Sequence, residues 1–593
     1  MHTEDKDGDS VLVFLFLQTE IIINKIDMKQ IIECVPNISE GRDMNIINQV
    51  TAEIEKVEGV KLLDVDPGAT TNRTVITFVG EPKNVCEAAF RVVKKAAELI
   101  DMRNHHGDHP RFGATDVCPL VPVSGITMEE VVEYARQLGE RIGNELEIPV
   151  FCYENAAFCS ERRNLAVCRA GEYEALSERL NSGNCKPDFG PACFNERVAT
   201  TGATAVGARD FLVAINYNLN TTSTRRANAI AFDVREKGRP MRQGPKVTDK
   251  PVKDENGNPV MIPGSLPGTK AIGWFIEEYG IAQVSMNITN IAKTPVHVCF
   301  EEVCAKAAAR GVRVTGCEIV GLVPKSVLID AGRFYLAKQE RSLGVSEDEI
   351  MKIAIKSMGL DDLKPFNPQE KVIEFMIEDH SQKKLVDMTC AAFADETASE
   401  SPAPGGGSIS AYMGALGASL ATMVANLSSH KPGWDDRWEY FSQWAEKGQA
   451  IKNQLIYLVD EDTNAFNKIM DALGLPKKTD EEKEIRKQAL EDASKYAIEV
   501  PFRTMEVAYS AFEVVEAMVN DGNPASVSDA GVGAMCCRSA VMGAYLNVKI
   551  NAAGIKDREF AEKMVQAGAE IERKAMEKEA ELLVKVNKII NKE

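Results

Sequence analysis

HHGDHPRFGATDVCPLV, residues 105–121, decides how the first half of this 593-residue chain is read. HHGDHPRFG is polar and punctuated by glycine and proline, whereas the continuation TDVCPLVPV is an apolar run of strand length. A loop braced by a buried strand is the usual carrier of catalytic groups. The stretch holds three of the chain's seven histidines, and three readings fit them. They could bind a metal, since His105, His106, Asp108 and His109 are all ligand types. However, Gly107 and Pro110 break any helix that would stack them, and no second His or Cys cluster follows at ligand spacing. They could be solvated loop histidines, His105 and His106 above all. Or they do proton chemistry, for which His109 is best placed: Pro110 restricts its backbone, and Asp108, Arg111 and Asp116 supply charges that set tautomer and pKa.

Working outward, KQIIEC reads as a strand, followed by a turn-rich loop from Pro36 to Arg42 and a helix from Met44 to Val57. VKLLDVDPG reads as a strand ending in an Asp66-Pro67-Gly68 turn. NRTVITFVG alternates like a half-buried strand, and Lys83 to Leu99 is an amphipathic helix. Strand, helix, strand, strand, helix, strand is the split βαβ order of ferredoxin-like folds. That order lets the loops carrying Asn37, Asp66, Arg73 and His109 gather at one sheet edge. Ile148 to Ala157 supplies a further strand. The small-residue stretch between Asn184 and Arg209 is either a ligand-lining loop or a linker. FLVAINYNLN opens a second α/β unit, with helices at Arg225 to Glu236 and Val296 to Ala309 and strands at IAQVSMNI and VRVTGCEIV. Between them GRPMRQGPKVTDKPVKDENGNPVMIPGSLPGTK is an exposed insertion to which no chemistry is assigned.

Composition changes between Glu370 and Leu385, and beyond it helical periodicity takes over. SPAPGGGSISA is a turn entering an Ala/Gly/Met-rich helix from Ala411. Long helices follow at Trp438 to Leu473, Thr479 to Asp521 and Asp557 to Lys592, which makes an α-helical bundle. In the first of these, Leu455, Val459, Phe466, Ile469 and Leu473 trace an apolar stripe, and Asp462 completes it. A carboxyl on a core stripe has its pKa raised by desolvation, as a general acid requires. The alternatives are an acid neutralised by a Lys or Arg, or one at the solvated edge of the stripe. Asp460 and Glu461 point away. The other turn with polar side chains in reach of a pocket is GNPASVSDAG, Gly522 to Gly531.

The length implies about three or four domains. At 44% hydrophobic and 26% charged the chain is a globular protein, and a net charge of −19 excludes a general nucleic-acid binder. Cys34, Cys118, Cys304 and Cys390 sit singly in apolar runs, and the adjacent Cys536 and Cys537 cannot form an ordinary disulfide, so reduced cytosolic thiols are expected. VLVFLFL (Val11 to Leu17) follows an acidic start and is too short to span a bilayer. Residues 1–27 are read as an extension outside the fold, with Met28 as an alternative start.

With IIECVPNISEGRD, LLDVDPGATTNRTVITFVG, GDHPRFGATDVCPLVPV, RAGEYEAL, PDFGP with TGATAVGARDFL, GLVP, PAPGGGS, LVDEDTNAF and PASVSD together, the chain resembles the bifunctional formimidoyltransferase-cyclodeaminase family from Met28 onward. The resemblance implies a transferase over two ferredoxin-like subdomains (28–211 and 212–377), a linker (378–385) and a helical cyclodeaminase domain (386–593). It implies transfer of a formimino group from N-formimino-L-glutamate to N5 of tetrahydrofolate, then closure to 5,10-methenyl-tetrahydrofolate with loss of ammonia. The family's transferase histidine matches His109 and its proton donor matches Asp462. Its folate-contacting loop matches Gly190, Pro191, Ala192, Cys193, Phe194, Thr200, Thr201, Gly202 and Ala203, although this chain has extra residues around Asn195 to Thr201. The resemblance further implies polyglutamylated tetrahydrofolate as co-substrate, no metal, no nucleic-acid or membrane partner, a cytoplasmic location and a ring-shaped homo-oligomer of dimers. Lys431, Arg437 and Lys447 are candidates to hold the anionic tail. Two other functions compete: a transferase whose helical half is only an oligomerisation scaffold, and a non-catalytic folate-binding assembly protein.

Overall fold

The computed structural model describes residues 30–69, 71–107, 111–182, 186–244, 249–377 and 384–592. The extension 1–27 and most of the expected linker therefore lie outside the described residues. The chain forms two compact units, one from residues 1–327 with 360–378 and the other from 328–359 with 379–593.

The first unit opens on a seven-stranded sheet. Its strands are β1 (Ile31–Cys34), β2 (Asn37–Ile38), β3 (Val60–Gly68), β4 (Arg73–Gly80), β5 (Thr115–Ser124), β6 (Val150–Glu154) and β7 (Thr204–Ala208). β1 and β2 are one strand interrupted at Val35-Pro36, and both pair antiparallel with β4 on one side and β5 on the other. With β3 on the outside of β4, the first four strands take the ferredoxin-like order β3-β4-β1-β5. β7 and then β6 extend the sheet in parallel beyond β5. Helices α1 (Met44–Glu55), α2 (Pro82–Leu99) and α3 (Met128–Leu146) cover one face. Val85, Ala88, Ala89, Val92, Val93 and Ala96 recur at helical spacing and bury the apolar side of α2 against Ile32, Phe78 and Leu120. Each large apolar side chain so buried stabilises the fold by about 1.5–3 kcal/mol, so Val92→Asp would break this layer. A capping box between Thr127 and Glu130 starts α3.

The second sheet repeats the plan. β8 (Val213–Leu219) leads to α4 (Thr224–Val234), the insertion contributes a small ribbon of β9 (Arg239–Pro240) and β10 (Met261–Ile262), and β11 (Thr269–Ile276) pairs with β12 (Ile281–Ile288). After α5 (Val296–Ala308), β13 (Val314–Val320) completes the antiparallel order β11-β12-β8-β13. Two strands depart from the sequence reading. β7 lies in the small-residue stretch taken for a loop or linker: Thr204–Ala208 is fully buried, and small residues are what a strand sandwiched between β5 and β6 accommodates. The insertion is expected to run through Lys270 and AIGWFI after it is given no element, yet Thr269–Ile276 forms a strand that pairs with all eight residues of β12. The expected turn at Asp66-Pro67-Gly68 also shifts, because β3 runs through Gly68.

The second unit is a bundle of α6 (Gly406–Ser429), α7 (Trp438–Gly474), α8 (Asp480–Asp521), α9 (Val527–Gly554) and α10 (Arg558–Asn591). α9 has no counterpart among the expected helices, since its apolar residues go all round rather than forming a stripe, and its first residues fall in the stretch read as a turn. α6 is long and apolar enough to cross a membrane, but 61% of its most apolar window is buried as a core helix of the bundle. Its glycines permit close packing. A Cβ on Gly414 would meet Leu455 and Ala508, and one on Gly417 would lie 2.7 Å from Cys537 Sγ. Of the cysteines expected in apolar cores, Cys34 and Cys118 are buried with sulfurs 3.7 Å apart, whereas Cys390 is exposed on a short helix.

Candidate functional site

In the first unit the break between β1 and β2 turns Asn37 inward. Its amide donates to Val35 O at 2.9 Å, and its oxygen accepts Arg73 Nε at 2.8 Å. Arg73 stands 3.6 Å from Asp116, whose same oxygen accepts Arg169 at 2.6 Å. Asp116 is buried, with its side chain only 2% exposed. Burial lowers the Arg73 pKa and Asp116 opposes that shift. Asp66, expected to join this edge, is exposed on β3 opposite Val75.

The loop before β5 is braced from several sides. Asn72, with φ +50°, accepts Gly41 N–H at 3.0 Å and donates to His106 O at 2.9 Å, while its carbonyl bonds His105 Nε2 at 2.9 Å. His105 is therefore not the solvated loop histidine it resembled. It is buried, and burial lowers its pKa. His106 is exposed. Arg111 donates to the carbonyls of Met102 and His105 and pairs with Glu174, and Ser39 Oγ donates to Gly113 O at 2.8 Å. The expected tuning groups Arg111 and Asp116 are thus committed to bracing. His109 itself, with Asp108 and Pro110, lies outside the described residues.

The folate-loop candidates divide into two sets. Gly190 sits at φ +80°, where a Cβ would be 2.3 Å from Ile148 O. Pro191 is half-buried, Ala192 and Cys193 are exposed, and half-buried Phe194 packs on a cluster of Phe112, Phe151, Leu180 and Val198. Asn195 then caps a short helix, Glu196–Thr201. Thr201, Gly202 and Ala203 are buried. Gly202 and Ala203 give their amides to Val198 O and Phe112 O, and Thr200 gives its hydroxyl to Glu196 O. The accessible part of the set is Gly190 to Phe194, with Thr200 half-buried.

One further acid in this unit escaped the sequence reading. Glu33 on β1 is 6% exposed, and burial pushes its pKa up to about 7 against the pull of Arg209. Cys34 and Ile32 point to the helix-covered core, so a carboxyl between them falls on the opposite sheet face, a signal available from strand alternation.

In the helical unit Asp462 comes from α7 and meets the N-terminus of α6. Its Oδ2 accepts Ser408 N–H at 2.9 Å and Ser408 Oγ–H at 3.2 Å. A Cβ on Gly407 would fall 2.0 Å from its Oδ1, so the absent side chain is what admits the carboxylate. Desolvation raises its pKa, opposed by Ser408's hydroxyl and amide, and no Lys or Arg among the described residues pairs with it. The stripe that pointed to Asp462 needs correcting. Leu455 and Val459 are buried, but Phe466 and Leu473 are exposed at 42% and 46%. The buried line continues instead through Leu458, Glu461, Ala465 and Ala472. Glu461, expected to point away, is buried. Burial raises its pKa, but hydrogen bonds from Tyr496 and Asn464 outweigh this and leave it lowered. Asp460 is half-buried and accepts Leu385 N–H at 2.6 Å. Of the tail candidates, Lys447 pairs with Glu513, while Lys431 and Arg437 stack on Trp434 at 3.9 and 4.8 Å. In the Gly522–Gly531 turn, Asn523 caps a single 3-10 turn that leads into α9. Gly407 and Ser408 were missed as partners of Asp462; their signal was a Gly-Gly-Gly-Ser helix start, a ready anion cradle. No group of three or more potential metal ligands occurs among the described residues.

Comparison with known proteins finds three family matches along the chain. Residues 31–209 match "Formiminotransferase domain, N-terminal subdomain", residues 214–378 match "Formiminotransferase domain", and residues 389–570 match "Formiminotransferase-cyclodeaminase". The formimidoyltransferase-cyclodeaminase of Gallus gallus is 41% identical over 534 residues, covering 90% of this chain and 94% of that protein. The glutamate formimidoyltransferase of Streptococcus pyogenes serotype M1 is 42% identical over 313 residues, 53% of this chain and 95% of that protein. The crystal structure of formiminotetrahydrofolate cyclodeaminase from Thermotoga maritima aligns at 26% identity with a TM-score of 0.30, covering 35% of this chain and 98% of that one.

Proposed function

The chain belongs to the formimidoyltransferase-cyclodeaminase family, and on that premise we propose that its two units handle protons on successive steps of one folate transformation. It is a bifunctional enzyme of histidine degradation, a glutamate formimidoyltransferase and a formimidoyltetrahydrofolate cyclodeaminase. In the first step N5 of tetrahydrofolate attacks the formimino carbon of N-formimino-L-glutamate, and the bond to the glutamate nitrogen breaks. His109 is the base that takes the N5 proton and returns it to the departing nitrogen. Support for this comes from its place in GDHPRFG, between a braced Gly107 and a braced Arg111. The Pro191–Phe194 stretch contacts the folate, with Gly190 as its hinge.

In the second step N10 attacks the same carbon and ammonia leaves, giving 5,10-methenyl-tetrahydrofolate. Asp462 gives the leaving nitrogen its proton. The observation that carries this role is a desolvated carboxyl with Ser408 as its hydrogen-bond donor and no cation paired with it among the described residues. Such a group gains and loses a proton more readily than one locked to an arginine.

The finer assignments complete the reading: transferase over 28–377, cyclodeaminase over 386–593, polyglutamylated tetrahydrofolate, a cytoplasmic setting and a ring of dimers. The test supplies formiminoglutamate and tetrahydrofolate to the full chain. Glutamate, ammonia and methenyl-folate formed in equal amounts support it. Accumulation of formimino-folate would reduce the helical unit to a scaffold, and no turnover would leave only a binding protein.

A further inference from the structure

We propose that Asp188, together with Arg162, is the positioning pair that sets the exit angle of the folate-contacting loop; this rests on the reading of Gly190–Phe194 as that loop. β6 is the outer strand of the seven-stranded sheet, and its free edge is covered by the segment just before the loop. Asp188 N–H donates to Val150 O at 2.8 Å, and Val150 N–H donates to Phe189 O at 2.9 Å. Two residues along β6 the added segment has turned away, and the Asp188 side chain takes over as acceptor: Cys152 N–H donates to its Oδ2 at 2.7 Å. The other oxygen accepts Arg162 Nη1 at 2.6 Å, and Arg162 Nη2 donates to Lys186 O at 2.6 Å. One carboxylate therefore ties the strand, the arginine and its own loop root together, with its side chain 11% exposed.

The geometry downstream makes this root matter. A Cβ on Gly143 of α3 would lie 2.6 Å from Gly190 N and 2.7 Å from Phe189 Cβ, so the chain is pressed against the helix where it leaves the edge. It then turns at Gly190, φ +80°, and is next anchored at Phe194, whose N–H donates to Asn181 Oδ1 at 3.3 Å just before the Asn195 cap. The exposed residues Ala192 and Cys193 hang between two fixed points, and the first of these is built on Asp188. Charge-assisted bonds of this kind are roughly twice as strong as neutral ones and are directional. Neither Asp188 nor Arg162 belongs to the proton chemistry assigned above, so the pair acts through the loop rather than on substrate.

The test is transferase kinetics on the full chain with Asp188→Asn, which keeps an acceptor for Cys152 but loses the ion pair. The expected result is a KM for tetrahydrofolate raised about tenfold, with kcat and the KM for formiminoglutamate within about twofold. Phe194→Ala, scored the same way, reports on the loop itself. If Phe194→Ala raises the tetrahydrofolate KM and Asp188→Asn does not, the pair is only an edge brace and the inference is overturned, while the loop reading stands. If neither moves that KM, the loop reading falls and takes the inference with it. Equal KM changes for both substrates, or a lowered melting temperature with unchanged KM, also overturn it. Should Asp188→Asn fail to fold, Arg162→Lys carries the same test, with an expected rise of about threefold for the lost fork geometry.

Discussion

The two sites place a carboxylate in opposite company, Asp116 buried and Asp462 half-buried. At the start of β5, Asp116 is held by Arg169 and faces Arg73, and Arg73 in turn bonds Asn37. In the bundle, Asp462 receives only the hydroxyl and amide of Ser408 and has no cation among the described residues. A carboxylate bracketed by arginines is fixed in charge and serves as scaffold. One held only by an uncharged residue is free to change charge, which is what the proton-donor role proposed for Asp462 requires.

The largest effect that can break this contrast is catalytic. His109→Ala should slow formimino transfer by about 10²–10⁴-fold while the enzyme still closes supplied 5-formimino-tetrahydrofolate, read by following methenyl-folate absorbance. Next comes stability. Asp116→Ala strands Arg73 and Arg169 in a buried site and should cost about 3–5 kcal/mol in denaturant unfolding of the first unit. If it cost less than about 1 kcal/mol, a surface-like pair, Asp116 would not be the scaffold described here.

Glu33 sharpens the comparison because it is the acid of the first unit that resembles Asp462. Its folded pKa, about 7, lies above its ordinary 4.5, so the unfolded chain gives up its proton first as pH rises. The stability it contributes is therefore present below about pH 4.5 and lost as pH climbs to 7. Glu33→Gln should remove that decline, on the order of 2–3 kcal/mol by pH 8, measured as thermal unfolding of wild type and variant across pH 5–8. A parallel decline in both proteins would contradict it. The smallest effect is Ser408→Ala, expected to cost about 1 kcal/mol and to shift the pH profile of ring closure upward, since both the hydroxyl and amide of Ser408 favour the ionised form and the variant keeps only the amide.

The fold was legible wherever a local period carries the information. The order of strands and helices through β5 follows from alternation and amphipathicity, and the same order recurs in the second sheet. It was not legible where no polar face alternates with an apolar one. Thr204–Ala208 is buried throughout, and Val527–Gly554 carries apolar residues such as Val532, Leu546 and Ile550 on its exposed side as well, so neither shows a polar face for a period to reveal. At the sites, Asp462 was found by a stripe that the structure only half follows, since Ala465 and Ala472 bury a line that Phe466 and Leu473 leave exposed. Glu461 and Asp188 were invisible for a related reason: what makes a charged residue buried and useful is a partner such as Tyr496 or Arg162, distant in sequence. The burial of His105 was not legible, because nothing local announces that the carbonyl of Asn72 closes over it.

The division of labour between the two units is tested most directly by Asp462→Asn supplied with formiminoglutamate and tetrahydrofolate. Glutamate should be released at the wild-type rate while 5-formimino-tetrahydrofolate accumulates and ammonia is withheld. Methenyl-folate formed at the wild-type rate, or loss of transfer along with closure in a folded protein, would contradict the assignment of one proton-handling residue to each unit.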